Sequence, residues 1–367
     1  MLRIDEAALR AFAETLIEAE GASRAVAESV ADSLVTADLR GHVSHGVRHL
    51  AGKYHREVAN GRIDPAAEPA VAADGDTWTQ IDGNDAYGQL VGRVAADAAI
   101  ETARETGVGV STLKRTSHIG RVGEFAEMAA AEGMVFTAFV CNPGSAWVAP
   151  AASAERRFST NPIAFGVPTF GGLEFDFVMD IATSQVAHGK IRVAAAGGNP
   201  VPDEWLVDNS GTSMRDAPRF EDEEVGAMLP LGGLTAGYKG TNLSVMSELM
   251  AANLADGTVS GEDDLIWGNH AVFTAIDLTR FTTRERAAER AQAMADYVRS
   301  SDFSAGHGPG EAAKGDDLLL PGEYEHESEA AHREHGVEMQ AADAARLRSV
   351  ADDLGVGDTV PDAIREA

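Results

Sequence analysis

FSTNPIAFGVPTFGGLEFDFVMDIATSQVAHGKIR, residues 158–192, is the stretch on which the fold prediction depends. Its two apolar runs, Ile163–Val167 and Phe175–Met179, are bounded by proline and glycine, and runs of this length with such boundaries predict two buried strands. The second run ends at Asp180. A carboxylate at the end of a buried strand costs free energy unless it is hydrogen-bonded, paired with a cation or used in chemistry.

Small residues follow this carboxylate, and a glycine then precedes Lys190. This order suits close approach of the backbone to a bound ligand, with Lys190 as the cation that meets it. The same residues are compatible with a strand, a turn and a surface lysine, so both interpretations stay open on this stretch alone.

The composition indicates a globular protein of two or three subdomains. The chain has 367 residues, of which 44% are hydrophobic, and no apolar run approaches the roughly 18 residues of a membrane span. Cys141 is the single cysteine, and the N-terminal segment is acidic rather than basic and then apolar. We therefore expect a cytoplasmic protein with no signal peptide and no intrachain disulfide.

The charge balance is strongly acidic, with 58 acidic and 30 basic residues and a net charge of −28. Nucleic-acid binding is disfavoured because the field of such a chain repels phosphate. A dispersed acidic surface with little lysine suggests the hypothesis of a halophilic protein, since concentrated salt screens self-repulsion. The lysines are Lys53, Lys114, Lys190, Lys239 and Lys314.

Helical patterns at both ends flank an alternation of strands and helices. Asp5 and Ser23 are predicted to cap two N-terminal helices, and charged helical patterns close the chain. The alternation between them indicates an α/β core. We therefore expect the segments 1–74 and 282–367 to pack together as a helical subdomain beside an α/β core at 75–281.

His118 lies in a glycine-containing loop between a predicted strand and a predicted helix. Binding and catalytic groups concentrate in such loops, and an imidazole can donate or accept a proton near pH 7. A capping or surface histidine is the simpler interpretation. The Rossmann fingerprint is absent because the glycines Gly107 and Gly109 precede a strand rather than a helix, so a dinucleotide site here must be built differently.

A second histidine group, His42, His45 and His49, would share one helical face and could supply three ligands to a zinc ion. Gly41 and Gly46 argue against a regular helix in this segment. A metal-dependent lyase or hydrolase using these histidines is therefore the alternative hypothesis. A serine hydrolase is disfavoured because no Gly-x-Ser-x-Gly elbow occurs.

Short blocks in a fixed order cover nearly the whole chain. They are Ser44-His45-Gly46-Val47, Ser117-His118-Ile119-Gly120 with Gly123, Thr160-Asn161-Pro162-Ile163-Ala164-Phe165, Asp180-Ile181-Ala182-Thr183-Ser184 with Gly189-Lys190-Ile191, and Gly237-Tyr238-Lys239-Gly240. With these blocks the chain resembles the malate/L-lactate dehydrogenase family that lacks a Rossmann fold, which includes ureidoglycolate dehydrogenase, sulfolactate dehydrogenase and piperideine-carboxylate reductase. The ordered occurrence is more specific than any single block.

The resemblance implies a mixed-sheet, non-Rossmann α/β fold, a homodimer, and hydride transfer between NAD or NADP and a small 2-hydroxy or 2-keto acid, malate- or lactate-like. No metal is implied. By this resemblance, His118 aligns with the family's proton donor. His45 aligns with a residue of the substrate pocket that acts beside the proton donor. The implied cofactor contacts are Asp180, Ile181, Ala182, Lys239, Gly120 and Ser145, and the implied substrate contacts are Ser44, Arg48, His49, Lys190 and Thr160.

Two positions depart from the family pattern. Many relatives have an arginine five residues after the serine of Ser-His-Gly, whereas this chain has His49 there and Arg48 before it. One residue turns a helical side chain by about 100°, so the substrate carboxylate is bound by Arg48 or by another cation, Lys190 or Arg121. The family's cofactor-side serine aligns with Asn142, Gly144 or Ser145.

Overall fold

The computed structural model describes residues 1–302, 313–314 and 317–366. Its strands are β1 (Leu2–Ile4), β2 (Ala70–Gly75), β3 (Trp78–Asp82), β4 (Val108–Thr116), β5 (Met134–Cys141), β6 (Ile163–Val167), β7 (Phe177–Ile181), β8 (Leu206–Val207), β9 (Ser213–Met214), β10 (Ala227–Met228), β11 (Asn269–Asp277), β12 (Ala313–Lys314), β13 (Asp317–Leu318) and β14 (Val337–Met339). Its helices are α1 (Glu6–Ala19), α2 (Arg24–Leu39), α3 (His55–Ala59), α4 (Gly88–Thr106), α5 (Gly123–Ala131), α6 (His188–Ala196), α7 (Ala217–Asp222), α8 (Gly233–Ala236), α9 (Tyr238–Ala255), α10 (Arg284–Arg299), α11 (Glu323–His335), α12 (Ala341–Asp353) and α13 (Asp362–Arg365).

A mixed seven-stranded sheet organises the molecule. Its strand order is β2-β3-β4-β11-β5-β6-β7. The pair β3–β4 is parallel, and the other neighbouring pairs are antiparallel. The predicted mixed α/β architecture is therefore confirmed, and it differs from the parallel sheet of a Rossmann fold.

Helices α4 and α5 cover one face of this sheet. Their alanine-rich inner faces form a single apolar core with alternate residues of the central strands, such as Ala271 and Phe273 of β11. Small side chains allow the closest approach, because a Cβ on Gly92 of α4 would lie 2.2 Å from the Phe125 ring of α5. His270 points to the opposite face by strand alternation, where a Cβ on Gly257, just after α9, would lie 2.7 Å from its ring.

The two predicted strands around Pro168 are present, but they are not both buried. The second, β7, starts at Phe177 rather than Phe175, so Asp180 lies inside the strand instead of after it. β7 is the edge of the sheet, and Phe165 and Val167 of its neighbour β6 are 37% and 40% exposed. The prediction failed because a run of apolar residues does not show whether one face or both faces of the sheet are covered at that strand.

The two ends of the chain meet. β1 pairs antiparallel with β14, and residues of α1, α2 and α12 share one apolar core. The predicted caps of α1 and α2 are confirmed, since the side chains of Asp5 and Ser23 accept hydrogen bonds from Ala8 and Val26 N–H. Helix α10 belongs to the predicted C-terminal segment, but it lines an apolar groove together with β6 and β7 of the α/β core. Strand β2 spans the proposed boundary at residue 74. The domain limits therefore stay a prediction.

A small unit between β7 and α9 was not predicted. β10, β8 and β9 form a three-stranded sheet, and α6 and α7 pack with it around an apolar core that includes Phe220 and Met228. Strands of two residues carry no periodic signal, so the segment reads as loops in the sequence. No helix in the described part of the chain is both long and apolar enough to cross a membrane.

Candidate active site

Two cavities lie side by side where the loops after α2, β4, β5 and β7 meet α6. The larger has a volume of about 380 Å³ and the smaller about 220 Å³. Residues lining both are Ser44, His45, His118, Asn142, Ser159, Thr160 and Ala187. His118 therefore stands at the junction of the two cavities.

The predicted site residues converge on these cavities, with one exception. Gly120, Asp180, Ile181, Ala182 and Lys190 line the larger cavity. Arg48, His49 and Ser145 line the smaller cavity. Lys239 lies exposed at the start of α9, outside both linings, so its role as a cofactor contact stays a prediction. Asn142, an alternative position for the family's serine, lines both cavities.

A chain of hydrogen bonds orients His118. Tyr54 Oη lies 3.0 Å from His118 Nδ1 and 3.4 Å from the His118 carbonyl oxygen. Gln89 Nε2 donates to Tyr54 Oη at 2.6 Å. The phenol donates to the His118 carbonyl oxygen, and its two lone pairs accept from Gln89 and from a proton on Nδ1. Nε2 of the neutral ring then carries no proton and is the nitrogen left for a ligand.

His45 and His49 pack against His118 in a cluster of imidazoles. The ring centroids of His45 and His49 lie 5.5 and 5.2 Å from that of His118. His45 Nδ1 is 3.0 Å from Ser44 Oγ. His49 Nε2 donates to the Ser44 carbonyl oxygen at 2.6 Å, which requires that this nitrogen carries a proton.

Burial makes the three imidazoles neutral at pH 7. Desolvation lowers the pKa of His45 to about 3, and nearby positive charge acts in the same direction. Burial, and then the charge of Lys53, hold the pKa of His118 well below its ordinary value. Burial and the neighbouring His45 do the same to the pKa of His49. An imidazolium is therefore not the resting state of His118, and the neutral ring can accept a proton.

The metal hypothesis gains no support from this geometry. His42 bonds through Nε2 to Glu325 Oε1 of α11 at 2.9 Å, and the segment Val43–His45 is a 3₁₀ turn rather than part of a regular helix. No group of three or more histidine, cysteine or carboxylate side chains within residues 1–302, 313–314 and 317–366 is arranged to hold a metal ion.

Asp180 is held by hydrogen bonding, as its position in a strand required. Its Oδ2 accepts from the Gly123 N–H at 2.7 Å. Burial raises the pKa of Asp180, while this hydrogen bond opposes the rise. A Cβ on Gly123 would lie 2.6 Å from Arg121 Nη1 and 3.2 Å from Asp180 Cβ, so a side chain there would displace the guanidinium.

Arg121 beside Asp180 has unused hydrogen-bond donors. Its side chain is 3% exposed and lines the larger cavity. Nη2 donates to Glu127 Oε2 at 2.5 Å, whereas Nε and Nη1 have no hydrogen-bond partner among the described residues. Buried donors of this kind are costly unless a ligand satisfies them, so this wall of the cavity fits an oxygen-rich or anionic group such as a dinucleotide.

Several residues of the site carry no recognisable signal in the sequence. Tyr54 and Gln89 follow helical patterns like core residues. Asn269 accepts from Ile119 N–H at 3.0 Å and donates to the Cys141 carbonyl oxygen at 3.1 Å, which ties the His118 loop to β5. Arg192 and Arg346 line the smaller cavity from α6 and α12. These five residues belong to the site only because the fold brings distant segments of the chain together.

Comparison with known proteins gives matches to one family over most of the chain. A model of the family described as malate/L-lactate dehydrogenase matches residues 4–348. A malate dehydrogenase of Pyrococcus abyssi is 33% identical over 318 residues, which cover 82% of this chain and 83% of that protein. An L-lactate dehydrogenase of Cupriavidus necator is 35% identical over 258 residues, which cover 70% of this chain and 72% of that protein.

The fold has a similar counterpart among solved structures. Malate dehydrogenase from Pyrococcus horikoshii superposes with a TM-score of 0.83 at 29% sequence identity. The superposition covers 97% of this chain and 96% of that one.

Proposed function

Because the chain belongs to the malate/L-lactate dehydrogenase family and is therefore a 2-hydroxy acid oxidoreductase, we propose that it transfers a hydride between NAD or NADP and a small malate- or lactate-like acid. His118 is the proton donor and acceptor in this proposal. The observation that carries it is the position of His118 at the junction of two cavities, one with the expected cofactor residues and one with cations.

His118 Nε2 handles the proton at the substrate oxygen. In the oxidative direction, neutral Nε2 takes the hydroxyl proton while the C–H bond at C2 breaks with loss of hydride. In the reductive direction, protonated Nε2 donates to the carbonyl oxygen. The lowered pKa of His118 favours the base, and a bound carboxylate nearby favours the protonated form, so one ring serves both directions.

The nicotinamide cofactor supplies or accepts the hydride. Asp180, Ile181, Ala182 and Gly120 would hold it in the larger cavity, with the donors of Arg121 available to its oxygen atoms.

Ser44, His45 and Thr160 would orient the substrate, because they line both cavities. Arg48, His49 and Lys190 are the proposed contacts of its carboxylate region, and Arg48 and His49 both reach the smaller cavity despite the one-residue shift from the family pattern. A homodimer and a cytoplasmic location remain part of the proposal. Exposed apolar side chains on α9, such as Met246 at 52% and Leu249 at 43%, support self-association.

The test supplies NADH or NADPH with oxaloacetate or pyruvate. Oxidation is measured as the loss of absorbance of the reduced cofactor. We expect one cofactor to be oxidised, and His118→Ala to reduce kcat at least ~100-fold while dinucleotide binding, followed by fluorescence, persists. His335→Ala is the matched control, because this side chain is 55% exposed and lines neither cavity. Near-normal kcat in His118→Ala would disprove the role of His118.

A further inference from the structure

The smaller cavity is positively charged although the protein has a net charge of −28. Arg48, Lys53, Arg192 and Arg346 line it, and no aspartate or glutamate is among its described lining residues. A local field opposite to that of the whole surface concentrates anionic ligands.

These cations are incompletely neutralised by the protein. Arg48 and Arg346 share Asp343, each at 3.6 Å from its Oδ1. Lys53 Nζ is 3.8 Å from Glu57 Oε1. Arg192 has no carboxylate within 4 Å among the described residues, although the charge of Glu221 acts on it from further away. Long or missing pairs leave positive charge available to a ligand.

The cations of the smaller cavity form a series that begins beside His118 and continues away from it. Lys53 is close enough to act on His118 and the two neighbouring imidazoles. Arg192 acts on Lys53 in turn, and it is itself close to Arg48 and Arg346. Like charges held together in a cleft repel one another, and an anion between them removes that cost.

A monocarboxylic substrate does not account for this set of cations. Its one carboxylate is satisfied by one cationic partner near the reacting carbon. The remaining cations then lie further along the cavity, on α6 and α12, with no group to bind. A second negative charge on the substrate would occupy them.

We propose that the smaller cavity binds a second anionic group, so that the preferred substrates are 2-keto and 2-hydroxy acids bearing a further carboxylate or sulfonate. Arg192 and Arg346 hold this distal group, and they select against monocarboxylates. This inference rests on the proposed function and adds the charge of the substrate to it.

The experiment compares kcat/KM for oxaloacetate, 3-sulfopyruvate and pyruvate with the cofactor that the enzyme uses. It is run at the lowest KCl concentration that keeps the protein folded, because salt screens charge pairs. The variants are Arg192→Gln and Arg346→Gln. Arg24→Gln is the matched control, since it removes the same charge from a side chain that is 74% exposed on α2.

We expect the wild-type enzyme to prefer the two dianions over pyruvate. Arg192→Gln should lower kcat/KM for the dianions about 10- to 100-fold, as expected for loss of a charge-assisted contact, and leave pyruvate nearly unchanged. Use of one dianion but not the other distinguishes a carboxylate site from a sulfonate site, and either result supports the proposal.

Two results would overturn it. Equal use of pyruvate and the dianions, with no effect of Arg192→Gln, would show that the cations do not select the substrate. An increase in the KM of the dinucleotide, with the substrate preference unchanged, would assign the cations to the cofactor phosphates. Inactivity towards every 2-keto acid with both cofactors would instead contradict the proposed function itself.

Discussion

At the scale of single residues, the reactive nitrogen of His118 is selected by two side chains that do not reach the substrate. Tyr54 Oη lies on the Nδ1 side, where it accepts the Nδ1 proton, and Gln89 donates to the same oxygen and fixes its position. The ring is therefore held in one orientation with Nε2 directed to the reaction, which is the role of a positioning residue.

The change Tyr54→Phe tests this arrangement. We expect kcat to fall about tenfold to 100-fold, because the imidazole loses its preferred tautomer and Gln89 loses its acceptor. The KM of the cofactor should be unchanged. Tyr87→Phe is the matched control, since Tyr87 is similarly buried and its ring lies 6.1 Å from that of Tyr54. Equal losses in both variants would indicate a packing role only.

At the scale of secondary-structure elements, the end of α2 determines the shape of the turn that carries Ser44 and His45. Asp38 Oδ2 in the last turn of α2 accepts from the Val47 N–H at 2.9 Å. Gly46 leaves room for this carboxyl group, because a Cβ there would lie 1.8 Å from Asp38 Oδ1. One buried carboxyl group thus joins the helix to the active-site turn.

The change Asp38→Asn should alter how stability depends on pH. Burial raises the pKa of Asp38 from 3.8 to about 7, so between these values the folded protein retains a proton that the unfolded chain has released. The stabilisation from this group is complete below pH 3.8 and is lost as the pH rises through about 7. Asparagine does not titrate.

We therefore expect the stability of Asp38→Asn, relative to wild type, to increase between pH 5 and pH 7.5. Urea unfolding at the two pH values measures the difference. A difference that is the same at both would show that Asp38 does not change its protonation state over this range.

At the scale of the whole molecule, the dominant property is surplus negative charge. With 58 acidic residues against 30 basic ones, repulsion between surface carboxylates opposes both folding and association. Salt shortens the reach of this repulsion from about 10 Å at ~0.1 M to about 3 Å at ~1 M. A halophilic homodimer is the hypothesis that combines this charge with the exposed apolar face of α9.

We expect the unfolding temperature and the molar mass in light scattering to rise together as KCl is increased from about 0.1 M to about 3 M. Sucrose of equal osmolality is the control, since it does not screen charge. A protein that is equally stable, active and monomeric at both salt concentrations would contradict the hypothesis.

The order of residues along the chain was sufficient for the family and the reaction class, and most of the site residues that it predicted line the two cavities. Each of these depends on local patterns. Asp5 and Ser23 cap helices within one turn of themselves, and blocks such as Asp180-Ile181-Ala182 keep their spacing because each belongs to one strand end or one loop. The mixed α/β class followed from the same alternation of apolar and polar segments.

Properties that depend on contact between distant segments could not be inferred in this way. Tyr54 meets His118, and Arg192 on α6 faces Arg346 on α12, only after the chain has folded. The edge position of β7 and the neutral state of His118 also arise from surroundings rather than from local composition. Burial and proximity set hydrogen bonding and pKa, and neither is encoded at a fixed spacing in the sequence.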